Sequence, residues 1–271
     1  MPDSHYAVKA IICSTLVNLC WKVFVGTKDN FDDFCKYAPL KGENVILSGH
    51  CKMDGLALIK RKKSDRKKII LAPHHTVDID DTSSLPLSNF LTYSDLFLEL
   101  PQKYPQIDFV FRPHPTLFII LSGIVLRGET GVIGWGKERV DDYIKKMSSF
   151  PNVEYQEGGD YFETFVNSDA IIHDCASFIM EYLYTGHPPL YLLRNKESIK
   201  EVFAPIGQKC LEHYYQAFNE QDIINFIEEV VLKGNDPLKE QRIKFAQEEI
   251  MVNYPHVSDF ILQHIKDELT T

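Results

Sequence analysis

Ser168-Asp169-Ala170-Ile171-Ile172-His173-Asp174-Cys175-Ala176-Ser177-Phe178-Ile179-Met180-Glu181-Tyr182 decides the fold. Ala170–His173 is an apolar run of strand length, and from Ser177 to Tyr184 the apolar residues recur at helical spacing. The two meet in a short turn, Asp174 to Ser177. A strand that feeds directly into a helix is the building unit of a parallel sheet, because the chain must cross over before it can lay down the next parallel strand.

The same alternation extends in both directions. Strand-like runs are expected at Lys68–Ala72, Ile107–Arg112, Asn152–Gln156 and Pro189–Leu193. Helix-like segments are expected at Leu87–Tyr104, Glu138–Ser149 and Tyr161–Asn167. The sum is an α/β, Rossmann-like parallel sheet with helices on both faces. Three further segments with three- and four-residue apolar spacing, Gln221–Leu232, Pro237–Met251 and His256–Glu268, make a helical C-terminal tail. Upstream, Asn44-Val45-Ile46-Leu47-Ser48 reads as a buried strand that ends one unit. It is followed by Lys60-Arg61-Lys62-Lys63-Ser64-Asp65-Arg66-Lys67-Lys68, a basic run that suits a solvated connector. The expected organisation is an N-terminal unit at 1–59, a basic linker at 60–68, the nucleotide-binding domain at 69–235 and C-terminal helices at 236–271.

Composition narrows the function. A formal net charge of −9 argues against a sequence-independent nucleic-acid binder, which needs a broad basic face to displace counterions. The six cysteines form no C-x-x-C pair, so neither a zinc knuckle nor a disulfide framework is indicated, and a reducing cytoplasm fits. The most apolar stretch, Leu117 to Leu126, is too short to cross a bilayer. The basic run offers a contact to an anionic membrane surface, with a solvated linker as the plainer alternative.

In an open parallel sheet, ligands sit beyond the carboxyl ends of the strands. That rule selects three segments. In Phe111-Arg112-Pro113-His114-Pro115 the prolines stiffen the strand exit. Arg112 and His114 are then placed to grip a diphosphate or, for the histidine, to move a proton. A Pro-rich strand terminator carrying a surface histidine explains the same residues. At the Asp174–Ser177 turn, backbone N–H groups favour a phosphate near Ser177, while either residue would also serve simply as an N-cap. Glu181, one turn on, is placed to accept a ribose hydroxyl, or is an exposed helix carboxylate. In Ala72-Pro73-His74-His75-Thr76, His74 and Thr76 are candidate donor contacts. Adjacent residues on an extended chain face opposite ways, so His74 and His75 are not expected to share a metal, and no metal site is assigned. Asp78, Asp80 and Asp81 read as a polar loop and helix cap. Gly158-Gly159-Asp160 frees the backbone to approach a base or ribose, with Gly159 the candidate contact, although a plain turn explains it as well.

In combination the motifs are more specific. The order strand-end Ala-Pro, Phe-Arg-Pro-His-Pro, then the segment from Ser168 through Gly186-His187-Pro188 resembles the CDP-glycerol:poly(glycerophosphate) glycerophosphotransferase family of teichoic-acid and capsule enzymes. The resemblance runs from about Trp21 to Gly234 and is strongest over Ser168–Pro188. It implies a GT-B arrangement in which this chain carries the C-terminal, nucleotide-holding domain. His114 would be that domain's catalytic histidine and Ser177 would lie at the pyrophosphate turn, with Asp174 supporting the turn and Glu181 near the ribose. The implied reaction moves a phospho-alcohol from a CDP-activated donor to a polyol-phosphate or glycan acceptor at the inner face of the cell membrane, with no cofactor. Two departures stand out. Cys175 and Ala176 occupy positions where Tyr and Ser are common, and the family's N-terminal Trp-His-Gly motif, whose histidine looks like the general base, is absent. The N-terminal unit is therefore expected to be a remnant, the chain being either a fragment of a longer protein or one whose reading frame has lost its start, with a separate N-terminal half as a further candidate partner and an exposed apolar edge near residues 10–25. A GT-B glycosyltransferase using a nucleotide sugar, and a non-catalytic nucleotide-binding domain of a polymer synthase, are the alternatives.

Overall fold

Ile69, Ile70, Leu71 and Ala72 are all buried, a continuous apolar run that only a strand covered on both faces can carry. In the computed structural model, which describes residues 11–77, 87–123 and 134–270, this run is the heart of strand β3 (Lys67–Ala72). Around it lie β4 (Ile107–Phe111), β5 (Val153–Tyr155), β6 (Ala170–His173), β7 (Pro189–Leu192) and β8 (Tyr215–Ala217). They form a parallel six-stranded sheet in the order β5-β4-β3-β6-β7-β8. Chain order reverses between β3 and β6, which makes the crevice beyond Ala72 and His173 the topological switch point.

The two-residue period of the strands divides the core. Ile69, Leu71, Phe109, Phe111 and Ile172 face the helices Phe90–Lys103, Lys137–Ser148 and Glu220–Asn225. Ile70, Ala72, Val110, Ile171 and Tyr191 face the helices Phe162–Asn167, Phe178–Glu181, Pro205–Leu211 and Lys239–Phe245. The expected α/β sheet with helices on both faces is therefore what the chain adopts. The sequence reading missed β8 and the helices Glu197–Val202 and Pro205–Leu211. The expected helix from Ser177 runs as Phe178–Glu181 and then tightens to a 3₁₀ turn, Tyr182–Thr185. Asp78, Asp80 and Asp81 lie outside the described residues.

A separate two-stranded parallel sheet, β1 (Val23–Val25) and β2 (Val45–Leu47), packs with the helix Lys28–Tyr37 around a small core of Ile12, Val25, Phe34, Ala38 and Val45. Ile11, Leu16, Leu19 and Trp21 remain exposed at 63%, 78%, 80% and 52%, the apolar edge expected there. The C-terminal helix Val257–Thr270 returns to this small unit. Lys22 pairs with Glu268 at 3.2 Å, and the Asp54 carboxylate accepts the backbone N–H groups of Val257 and Ser258 at 3.1 and 2.7 Å. No described helix is long and apolar enough to cross a membrane.

The return depends on Gly49. Its φ is +90°, and a Cβ there would stand 2.0 Å from the Val252 carbonyl oxygen. Gly49→Ala is expected to destabilise the protein by ~2 kcal/mol or more, because left-handed strain and a backbone clash act together. An unchanged urea midpoint would show that the 252–257 segment does not press on β2.

Residues 60–67 of the basic run are all exposed, yet several of their charges have partners. Lys67 and Lys68 already belong to β3. Arg61 donates to the Ser168 carbonyl and the Asp169 carboxylate, both at 2.8 Å, while Lys62 pairs with Glu163 and Arg66 with Asp108. Much of the positive charge is thus balanced by the domain's own carboxylates.

Candidate functional site

The strand ends that flank the switch point converge on one cavity of about 270 Å³. Its wall includes Pro73 after β3, Arg112, Pro113, His114 and Pro115 after β4, Gly158 and Gly159 after β5, and Cys175, Ser177 and Phe178 after β6. Ligand pockets commonly run from roughly 300 to 1,000 Å³, so this one is just below the small end of that range. A neighbouring cavity of about 430 Å³ shares Pro113, His114 and Pro115 and opens toward Lys137, Tyr155 and Glu157.

Four of the candidate residues line the smaller cavity: Arg112, His114, Gly159 and Ser177. Arg112 is 6% exposed, and its guanidinium donates to the Gln156 side chain at 2.8 Å and to the carbonyls of Gly158 and Gly159 at 3.0 and 2.5 Å. The arginine that was expected to hold a diphosphate directly therefore spends these bonds shaping the Gly158–Gly159 loop, while its charge stays at the wall. Both glycines have positive φ, 131° and 78°, which is what lets two successive carbonyls turn back onto one guanidinium. Ser177 is exposed. Its hydroxyl lies 3.2 Å from Cys175 Sγ, and it makes no side-chain cap bond to the helix that follows, so N-capping does not account for it.

The other candidates stand behind the cavity. Asp174 is fully buried, and its carboxylate accepts the backbone N–H groups of His74 at 2.6 Å and Asn89 at 2.5 Å. Burial pushes its pKa up to about 6 against the downward pull of those N–H groups. It ties the end of β3 to the start of the helix Phe90–Lys103. The Thr76 hydroxyl lies 2.9 Å from His74 Nδ1 and accepts the Leu87 N–H at 3.1 Å, clamping the same loop. Glu181 accepts from Lys52 Nζ at 2.9 Å on one oxygen and from the Tyr161 hydroxyl on the other, and each oxygen keeps a second acceptor site. Burial and then this hydrogen bond push the Tyr161 hydroxyl up to about 12, so it acts as a donor.

Sequence reasoning missed Lys52 and Tyr161. Both line the cavity, and Lys52 also pairs with Tyr161 and lies 4.8 Å over its ring. Lys52 follows β2 in the turn Cys51–Met53, whose Met53 packs in the same core as Ile70 and Tyr191; it lies 129 residues from Glu181, and no local spacing announces such a pairing. It puts a further positive charge on the cavity.

The expectation that His74 and His75 diverge fails. The chain leaves the strand conformation at Pro73, and the rings of His74 and His75 lie 4.2 Å apart between centroids. His114 comes to 4.0 Å from His75 and 5.2 Å from His74. Burial, then the neighbouring imidazoles, pull His74 down to about 3. Burial, then His75, pulls His114 down to about 4, and burial lowers His75. These rings are neutral at pH 7, so His114 in this state is a poor proton shuttle, and a bound anion would raise its pKa.

The sequence matches no known protein-family profile and no curated protein. Solved structures share its fold. The wall teichoic acid polymerase TagF superposes with a TM-score of 0.61 at 14% identity, covering 100% of this chain and 63% of that one. A TagF variant soaked with CDPG gives 0.55 at 15% identity, with 93% and 60% covered. The UDP-GlcNAc 2-epimerase from Neisseria meningitidis bound to UDP-GlcNAc gives 0.56 at 17% identity, with 93% and 62% covered. The chain thus spans about three-fifths of the length of these proteins. At such identities the likeness is one of fold, a GT-B-like α/β arrangement shared by a polymerase and an epimerase.

Proposed function

We propose that this protein binds the diphosphate of a nucleotide-activated donor in the switch-point cavity and acts as a glycerophosphotransferase-like enzyme on a CDP-activated alcohol. The observation that carries the reading is the convergence on one cavity of the Arg112 charge, Lys52, the Ser177 hydroxyl and His114. Two cations, a hydroxyl and a neutral imidazole suit an anionic, oxygen-rich ligand. In the reaction, an acceptor hydroxyl oxygen forms a bond to the β-phosphorus while the bond from that phosphorus to the bridging oxygen breaks. CMP leaves, and the hydroxyl proton passes to a base. A separate N-terminal half is the proposed source of that base. Residues 1–59 then form an N-terminal unit, 60–68 the connector, 69–235 the donor domain and 236–271 the C-terminal helices. The acceptor is a polyol-phosphate or glycan at the inner face of the cell membrane.

A nucleotide-sugar donor is the second reading, favoured by the UDP-GlcNAc-bound epimerase of similar fold. Calorimetric titration with CDP-glycerol, CMP and a UDP-sugar separates the two. Cytidine-selective binding that weakens ~10-fold or more in both His114→Ala and Ser177→Ala, as loss of a charge-adjacent hydrogen bond implies, is the expected result. Selective uridine binding would transfer the site to sugar chemistry. No binding by the folded chain would remove the donor reading for this chain alone.

A further inference from the structure

His74, His75 and His114 form the one group of three or more metal-ligating side chains found among the described residues, each able to offer a nitrogen within 4.8 Å of the other two. We propose that this three-histidine cluster is a binding site for a divalent cation of the zinc class. The inference goes beyond the donor reading and does not depend on it.

Three features of the site support it. First, the approach of the ligand atoms is close to what an ion demands. Histidine nitrogens bound at 2.0–2.1 Å around a tetrahedral ion lie roughly 3.3 Å from one another, so side-chain rotations of modest size close the site. Second, His75 Nδ1 is buried with no hydrogen-bond partner among the described residues, a cost that a bound ion would remove. Third, the other two rings are held in matching ways. His74 Nδ1 lies 2.9 Å from the Thr76 hydroxyl and His114 Nδ1 lies 2.8 Å from the Thr116 hydroxyl, each threonine two residues after its histidine. The backbone N–H of each threonine also points at that Nδ1, at 3.3 and 3.2 Å, so a metal on Nε2 requires the tautomer in which Nδ1–H donates to the threonine hydroxyl instead. Such an outer hydrogen bond is the usual way a metal-binding histidine is oriented. The two His-x-Thr segments leave adjacent parallel strands, β3 and β4, so the sheet itself brings the rings together.

Three protein nitrogens leave a fourth position of a tetrahedral ion for water or substrate, the arrangement of catalytic rather than structural zinc. His114 lines the cavity, so an ion on the cluster lies at the wall of the same cavity that Ser177 lines and adds positive charge to it.

The test uses tag-free protein stripped with a chelator and then titrated with Zn²⁺ or Co²⁺ in the absence of any nucleotide. A single saturable equivalent is expected, with the absorption bands of tetrahedral Co²⁺ and a rise in unfolding temperature on adding Zn²⁺. His75→Ala and His75→Gln should each weaken binding at least ~100-fold, and Thr116→Val, which removes only the outer hydrogen bond, about 10-fold. No saturable binding by the wild type overturns the proposal, and so does binding that is unchanged in both His75 variants. Because no nucleotide is present, either failure leaves the donor reading to its own titration.

Discussion

Replacing Asp174 with alanine is expected to cost about 3 kcal/mol of folding stability, with a corresponding fall in the urea midpoint and no change in slope. Two effects oppose each other here. The buried carboxylate is unfavourable in itself, which is why its pKa rises to about 6. Yet it satisfies the N–H groups of His74 and Asn89 at 2.6 and 2.5 Å, while the Tyr191 hydroxyl donates to the Asp174 carbonyl at 2.8 Å. Alanine relieves the buried charge but leaves two backbone donors orphaned, each worth ~1–3 kcal/mol, and opens a void. Orphaned donors win because alanine supplies nothing in their place. Asp174→Asn is expected to fall between, since its amide oxygen accepts one N–H while its NH₂ group opposes the other. Loss of the tie would also release Pro73 and His74, so the proposed nucleotide and metal binding should weaken together. A change below ~1 kcal/mol would show that water or a shifted backbone replaces the carboxylate.

The second large effect is acid lability. Burial holds His173 down to about 3, and burial followed by the Arg61 charge holds His187 at about 4. These folded-state values lie below the ordinary histidine value of 6.5, so the unfolded chain takes up protons that the fold refuses. Stability from this source is complete above pH 6.5, falls as the pH drops through 6.5, and continues to fall until the folded values are reached. Asp174 has the opposite sign. Its raised pKa means that the fold gains a proton between about pH 6 and 3.8, offsetting one histidine over that window. Counting only His173, His187 and this aspartate, the net loss between pH 7 and pH 5 is on the order of 2 kcal/mol. The check is the unfolding midpoint as a function of pH for the wild type and for His173→Asn. That asparagine's oxygen can still accept the Cys175 N–H, which now reaches His173 Nδ1 at 3.2 Å, but it does not titrate. The variant should flatten the acid limb by about one proton. An unchanged limb would move the effect to other groups.

Most of the fold was legible because its signals are local. A strand buried on both faces has to be apolar throughout, and Ile69–Ala72 and Ala170–Ile172 declare themselves; helices on a sheet repeat their apolar residues at three- and four-residue spacing, as the helix Lys137–Ser148 does. The weak elements were the ones missed. β8, Tyr215-Gln216-Ala217, has only three residues and pairs along one edge, with β7, so its own sequence carries little of its stability. The candidate cavity was partly legible for the same reason. Proline-bracketed His114 and the turn before Ser177 mark strand ends, and parallel strands put their ends on one side.

What the amino-acid sequence determined alone was the order of strand and helix, the two-sided sheet and the strand ends where a ligand would sit. Tertiary structure decided which side chains share that place. It brought Lys52 onto Glu181 and Tyr161, committed the Arg112 fork to the Gly158–Gly159 carbonyls, and turned His75 back beside His74 and His114. The physical reason is range. Backbone preference and hydrophobic period act over a few residues and are written in neighbouring positions. A hydrogen bond or ion pair between residues more than a hundred positions apart exists only after the sheet has fixed where their backbones lie.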